Sequence, residues 1–374
     1  VNIFTNINEV FKIVLVGHDC HPHGSQMLLL NLAKTLQKNL RVKPVILVLG
    51  EGKLLSEYQK ICDVFLVKTE PEINEVLKIL TEQQFNLAIT NTVVSGWAVP
   101  YLKANKFKVL SLIHELPRII TAMNLKESAE KIAKFSDYLV FPDNYVKEKF
   151  ESVVSKFQGK VLIQPQGLYT NLQFNHEEGN KVRENLGIKA TTKVAINVGY
   201  AALNKGFDLF VQLARLSKYS RSDWEFIWVG HISPELNLWL NPSKNEQTYL
   251  KNLHMVGFTE YVERYLSAAD VFVLTSREDS FPTVLLEALN VGLPVVAMKN
   301  SGGFVELFEK NKTIGKLVDY EDTLSMLKAM KYLTTKNFLI DKNKNFRERR
   351  SYIEKNYNFS DYVHKLCNIL QTSI

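Results

Sequence analysis

From Phe11 onward the chain repeats one device: a short run of apolar, largely β-branched residues, then a longer stretch with apolar residues at three- and four-residue spacing. The runs KIVLVG (12–17), KPVILVL (43–49), VFLV (64–67), NLAIT (86–90), KVLSLI (108–113), YLVF (138–141) and KVLI (160–163) form a first series. A second holds KVAINVG (193–199), EFIWVG (225–230), HMVGF (254–258), VFVLT (271–275) and PVVAM (294–298). Runs without polar alternation are covered on both faces, which requires a parallel sheet flanked by helices. The intervening segments supply those helices: from Gln26 to Lys38, residues Leu28, Leu29, Leu32 and Leu36 share one face, and helices are expected around 206–217, 261–268, 283–290 and 321–333. No internal repeat is visible. The polar stretch from Thr170 to Glu178 separates the two series, and a chain of 374 residues is long enough for two domains at about 150 residues each. Expected are an N-terminal Rossmann-like domain over 1–168, a C-terminal one over 169–340, and a helical tail over 341–374 packing back on the N-terminal domain.

Composition narrows the function classes. Apolar residues make up 46% and charged residues 23% of the chain, proportions of globular proteins. No apolar stretch approaches the roughly 18 residues a membrane helix needs. The first residues, VNIFTNINEVF, are interrupted by Asn6, Asn8 and Glu9 and read as an arm feeding the first strand, not as a secretory leader. Three scattered cysteines, Cys20, Cys62 and Cys367, give no disulfide framework and suit a reducing cytoplasm. The net charge of +7 is spread over both halves. The dense basic run from Lys342 to Arg350 has no nucleic-acid-binding motif beside it and reads as a solvated helix face, with contact to an anionic membrane surface the other reading. No nucleic-acid partner is expected. The patterns G-x-S-x-G, G-x-x-x-x-G-K and G-x-G-x-x-G are absent from the sequence, which argues against hydrolase, NTPase and dehydrogenase chemistry.

The most informative segment runs from Ser276 to Ala297. It follows a buried strand, turns through Ser280, Phe281 and Pro282, and starts a helix at about Thr283. The amides and dipole at such a helix start suit an anion, and a diphosphate in particular. Asp279 lies in the loop before the helix and Glu287 just over one turn inside it, so the two carboxylates can contact different parts of one ligand. Spacing alone leaves this open against an ordinary β–α unit with a capping acid and a surface acid.

This segment resembles the E-x7-E motif of the retaining glycosyltransferases of family four, with Asp279 in place of the first Glu. Gly199 to Asp208, containing Lys205-Gly206, is similar to that family's G-R-x4-K-G-x-D turn; Asn300 to Glu306 resembles its G-G-x-x-E loop, and Pro165-Gln166-Gly167 its P-N-G crossing. Pro22 to Gln26 resembles the family's glycine loop, and His114-Glu115 its H-D or H-E pair at a strand end. The likeness spans roughly 12–310, with the C-terminal motifs the more specific.

The resemblance implies a GT-B fold, two Rossmann-like domains facing across a cleft, and retaining transfer of a hexose from a nucleotide sugar to an acceptor hydroxyl in polysaccharide or glycolipid synthesis. It implies His114, Lys205 and Asp279 as catalytic residues: Lys205 on the donor diphosphate, Asp279 on hydroxyls of the transferred sugar, His114 over that sugar. Donor-binding residues would be Gly24, Gly199, Lys205, Glu287 on the ribose, and the backbone of Phe281, Pro282, Thr283 and Val284. Glu115 and Arg118 are expected on the acceptor side, where a glycan or a lipid-linked glycan would bind, with a peripheral contact at the inner face of the membrane. The family's Arg of G-R is Tyr200 here, which removes a cation from the diphosphate, and Arg277 is a candidate to replace it. His18, Asp19, Cys20, His21 and His23 offer metal-ligand chemistry, but neighbouring side chains in a loop diverge, so a polar donor/acceptor loop is the expectation. Neither metal nor cofactor is implied. The rival readings are a nucleotide-sugar 2-epimerase of the same architecture and a non-catalytic glycan-binding copy.

Overall fold

In a computed structural model, which describes residues 11–39, 42–220, 222–236, 251–335 and 342–371, the apolar runs assemble into two separate parallel sheets. The chain divides into two compact units, one running up to Tyr169 and taken up again from Asn358, the other spanning Thr170–Tyr357. Residues 1–10, where the arm was expected, lie outside the described residues.

The sheet of the first unit consists of β1 (Phe11–Val16), β2 (Val42–Val48), β3 (Val64–Leu66), β4 (Leu87–Asn91), β5 (Lys108–Leu112), β6 (Tyr138–Phe141) and β7 (Lys160–Ile163), in the order β3-β2-β1-β4-β5-β6-β7. The reason for the missing alternation is visible in β1. Ile13 and Leu15 pack on one side, with Leu28, Leu29, Leu32 and Leu36 of the Gly24–Asn39 helix; Val14 and Val16 pack on the other, with Leu77 and Leu80 of the Glu70–Glu82 helix. Each such fully buried side chain contributes on the order of 1.5–3 kcal/mol.

The second unit holds β8 (Lys193–Val198), β9 (Trp224–Val229), β10 (Leu253–Gly257), β11 (Val271–Leu274), β12 (Val295–Met298) and β13 (Gly315–Val318), in the order β10-β9-β8-β11-β12-β13. The last of these was not expected. GKLV is short, carries a lysine, and pairs along one side only, with β12, so it lacks the apolar run that marks a central strand.

The tail divides differently from the expectation. The Phe359–Gln371 helix packs Tyr362, Val363, Leu366 and Leu370 into the first unit's core, and Lys108 Nζ donates to the carbonyl of Leu370 at 2.8 Å. The Lys342–Asn356 helix belongs instead to the second unit. There Phe346 fills the space a side chain at Gly292 would occupy, 1.9 Å from its Cβ position, and Arg349 is 3% exposed, donating to the carbonyls of Gly292 (2.8 Å) and Thr313 (2.9 Å). The basic run is therefore not wholly a solvated face: Arg349 points inward, and burial pulls its guanidinium down to about 10.

In an open parallel sheet, ligands bind beyond the strand C-termini where the strand order reverses. That point lies between β1 and β4 in the first unit and between β8 and β11 in the second. The loops leaving these four strands carry Gly24, Thr92, Lys205 and Asp279.

Candidate functional site

In the second unit the switch point joins two loops. After β8 the chain passes Gly199 (φ 154°), turns at Lys205, and enters the Phe207–Tyr219 helix through Gly206, whose φ is 64°. A Cβ at Gly206 would sit 1.9 Å from the carbonyl oxygen of Thr275, so this close backbone approach requires glycine. Thr275, fully buried, donates to the carbonyl of Lys205 at 3.0 Å and faces the side-chain amide of Asn197 at 3.1 Å. The Trp228 indole N–H donates to the carbonyl of Gly199 at 2.9 Å. Asn197, Thr275 and Trp228 were not among the expected site residues. They lie inside strands or at a strand end, where sequence shows only core.

The second loop brings Asp279 to Lys205. The Lys205 ammonium is 2.5 Å from Asp279 Oδ2, which also accepts from the Ser276 hydroxyl at 3.2 Å; the Asp279 side chain is 10% exposed. The backbone N–H of Asp279 donates to Ser301 O at 2.8 Å and that of Gly303 to Ser280 O at 2.9 Å, so the Asn300–Glu306 segment buttresses the loop. Glu306 itself pairs with Lys310. Phe281 is buried with its ring stacked on Tyr357 at 5.8 Å, which leaves its backbone, not its side chain, as the group offered to a ligand. Pro282 then caps the Thr283–Asn290 helix without a side-chain cap bond. In its first turn the N–H of Leu285 donates back to Pro282 O at 3.1 Å.

Arg277 does not replace the missing arginine. Its guanidinium forks onto Asp208 at 2.7 and 2.8 Å, donates to Leu203 O at 2.8 Å and pairs with Glu321. Burial pushes Asp208 up, but the Arg277 hydrogen bonds and charge outweigh it and hold the carboxyl below its ordinary range. Arg277→Ala is accordingly expected to lower the unfolding free energy by about 1–3 kcal/mol. Denaturant unfolding of the two proteins checks this.

Glu287 lies one turn into the Thr283–Asn290 helix, 8% exposed, and accepts the Thr170 hydroxyl at 3.0 Å. Asn290 on the next turn donates to the carbonyl of Leu172 at 2.9 Å. Burial raises the Glu287 carboxyl to about 7, against the pull of the Thr170 hydrogen bond. A carboxyl raised on folding binds its proton more tightly in the folded state. Its contribution is fully present below the ordinary value of 4.5 and is lost as pH rises through about 7. Relative to Glu287→Gln, the wild-type chain should therefore lose up to roughly 3 kcal/mol between those limits. Urea melts of both proteins across pH 4.5–8 read this directly.

In the first unit the glycine loop leads into the Gly24–Asn39 helix. A Cβ at Gly24 would meet nothing within 4 Å, so packing does not demand glycine there. The preceding polar residues form a local network: the Gln26 side-chain amide reaches Asp19 Oδ1 at 2.6 Å and His18 Nε2 at 2.9 Å. Among the described residues no group of three or more His, Cys, Asp or Glu is placed to hold a metal ion. At the end of β5, burial brings the His114 imidazole down to about 4, and its buried Nε2 has no hydrogen-bond partner among the described residues. The Glu115 carboxylate turns back onto the backbone, Oε2 accepting Val93 N–H at 2.9 Å and His114 N–H at 3.3 Å. Arg118 is exposed on the Pro117–Ala122 helix. Between β4 and Val93, Thr92 adopts φ 79°, ψ 159°, a region essentially reserved for glycine, at a cost of about 1–3 kcal/mol.

Residues 179–356 match the family of glycosyl transferases group 1. The chain is 30% identical over 148 residues to an uncharacterized glycosyltransferase of Haemophilus influenzae, covering 39% of this chain and 40% of that protein. It is 22% identical over 298 residues to the UDP-Gal:alpha-D-GlcNAc-diphosphoundecaprenol alpha-1,3-galactosyltransferase of Escherichia coli, covering 77% of this chain and 76% of that one. Among solved structures, HepE of Anabaena in complex with UDP and glucose superimposes with a TM-score of 0.78 at 16% identity, over 97% of this chain and 100% of that chain. The fold expected from the sequence, two parallel-sheet α/β domains of GT-B type, is the fold observed. Among the described residues no helix is long and apolar enough to cross a membrane.

Proposed function

Because residues 179–356 match the group 1 glycosyl transferases, we propose that the chain moves a hexose from a nucleotide sugar to an acceptor hydroxyl with retention at the anomeric carbon, in polysaccharide or glycolipid synthesis. The observation that carries the reading is the Lys205–Asp279 pair in the loops beside the start of the Thr283–Asn290 helix, with the buried Glu287 one turn further in. An ammonium and a helix N-terminus make a receptor for a diphosphate; a buried carboxyl beyond them suits a vicinal diol such as ribose. One relative named for UDP-Gal transfer and a like-folded protein holding UDP and glucose support a nucleotide sugar as donor. The acceptor proposed is a glycan or lipid-linked glycan.

In the mechanism proposed, the diphosphate takes the Lys205 ammonium and the first-turn amides of the Thr283–Asn290 helix. Asp279 then faces the transferred sugar, where its charge offsets the positive charge that develops as the glycosidic bond breaks. No separate carboxylate nucleophile is invoked: the departing diphosphate accepts the acceptor proton as the new bond forms on the same face. His114, neutral above about pH 5 because burial brings it down to about 4, hydrogen-bonds a hydroxyl of the transferred sugar.

The reading as a non-catalytic glycan-binding copy is favoured by one observation, that Tyr200 stands half-exposed at the family's arginine position while Arg277 is engaged elsewhere. A thermal-shift screen of UDP-, GDP- and dTDP-sugars, followed by product analysis with the stabilising donor, separates the readings. Stabilisation follows RT ln(1 + [L]/Kd), so a donor at a hundredfold its Kd adds about 2.7 kcal/mol. Binding with released hexose supports transfer; binding with no turnover supports the copy; a 2-epimer of the donor sugar without an acceptor identifies the epimerase.

A further inference from the structure

Two elements meet at the end of the first unit's sheet around one carboxylate. Glu115 follows β5, and its Oε2 accepts both the N–H of Val93, the first residue after the left-handed Thr92, and the N–H of its own neighbour His114. Thr92 N–H in turn donates to the carbonyl of Leu112 at 3.1 Å, so the ends of β4 and β5 are tied twice, once by backbone and once by this side chain. Both N–H groups go to Oε2, so that oxygen is spent on the main chain and not on an acceptor sugar.

We infer that Glu115 is a positioning residue: its carboxylate fixes the main chain of His114 against the strained turn at Thr92 and thereby sets where the imidazole points. For the reaction, this rests on the role proposed above for His114; for the geometry it does not. Removing the side chain leaves two N–H groups without their acceptor and releases the turn, so the ring gains water. Glutamine keeps a carbonyl oxygen at the same place and preserves both bonds.

The test uses the full chain labelled with ¹⁵N, with the His114 ring signal assigned by its loss in His114→Gln. In the wild type the ring shows no titration above about pH 5, as expected for a group brought down to about 4. In Glu115→Ala a titration should appear between pH 5 and 7, near the ordinary histidine value of 6.5. The Val93 and His114 amides should exchange at least about tenfold faster. Turnover with the donor found by the screen should fall at least about tenfold with the donor KM within about twofold, and Glu115→Gln should return all three readouts to near wild type. If Glu115→Ala fails to fold, Glu115→Asp, one methylene shorter, carries the same test. Unchanged exchange and no new titration would overturn the inference, as would a Gln variant as slow as Ala with its amides protected, which would make the charge itself a substrate contact. Altered exchange and titration in a chain that transfers no sugar would retire the reading of function and leave the positioning role standing.

Discussion

Lys205→Ala should lower kcat with a nucleotide-hexose donor by at least about tenfold, or about 1.4 kcal/mol of barrier. With Tyr200 at one expected cation position and Arg277 forked onto Asp208, Lys205 is the cation that the loops after β8 and β11 present beside the Thr283–Asn290 helix. It bridges to Asp279 at 2.5 Å, so a diphosphate bound as proposed would take the place of Asp279 as its anionic partner. Asp279→Asn, which keeps size and loses charge, should slow kcat comparably while free UDP affinity stays within about threefold, because the nucleotide does not need that carboxylate. Glu287→Ala should do the reverse and appear mainly as a higher donor KM, since the ribose is unchanged during reaction. Steady-state kinetics and UDP calorimetry on the three variants check the assignment; unchanged turnover in Lys205→Ala, or loss of UDP binding in Asp279→Asn beside a normal Glu287→Ala, contradicts it.

Gly206→Ala should be the most damaging small substitution at the site. The new Cβ would fall 1.9 Å from the Thr275 carbonyl oxygen at a φ of 64°, and neither backbone can yield without moving Lys205. Strain and overpacking together predict a loss of roughly 2–4 kcal/mol, with turnover impaired in the fraction that folds. Gly24→Ala is the control, since its Cβ meets nothing within 4 Å and its unfolding free energy should change by less than about 0.5 kcal/mol. Denaturant melts of the two variants side by side distinguish a glycine the backbone requires from one that packing leaves free.

Legibility followed the range of the interactions. The strands covered on both faces were readable because Ile13 and Leu15 face one layer and Val14 and Val16 the other, and both demands are written locally. The helix start after Pro282 was readable for the same reason. Pairs made by folding were not. Nothing near Arg277 in the chain announces that Asp208 and Glu321 will occupy it, and nothing in HEL announces that Glu115 will turn back onto Val93. Arg349 looked like one charge in a basic run, yet it serves two carbonyls, one of them just beyond the Thr283–Asn290 helix. The strand Gly315–Val318 escaped because its pairing comes from β12 alone and not from its own composition.

The proposed transfer with retention is read by proton NMR of an α-linked nucleotide hexose incubated with the protein in buffer, with water as acceptor. The anomeric proton of the first hexose released reports its configuration before mutarotation. The α anomer is expected at early times, and at least about tenfold less of it from Lys205→Ala. First release of the β anomer, or an equal rate from the Lys205 variant, would contradict it.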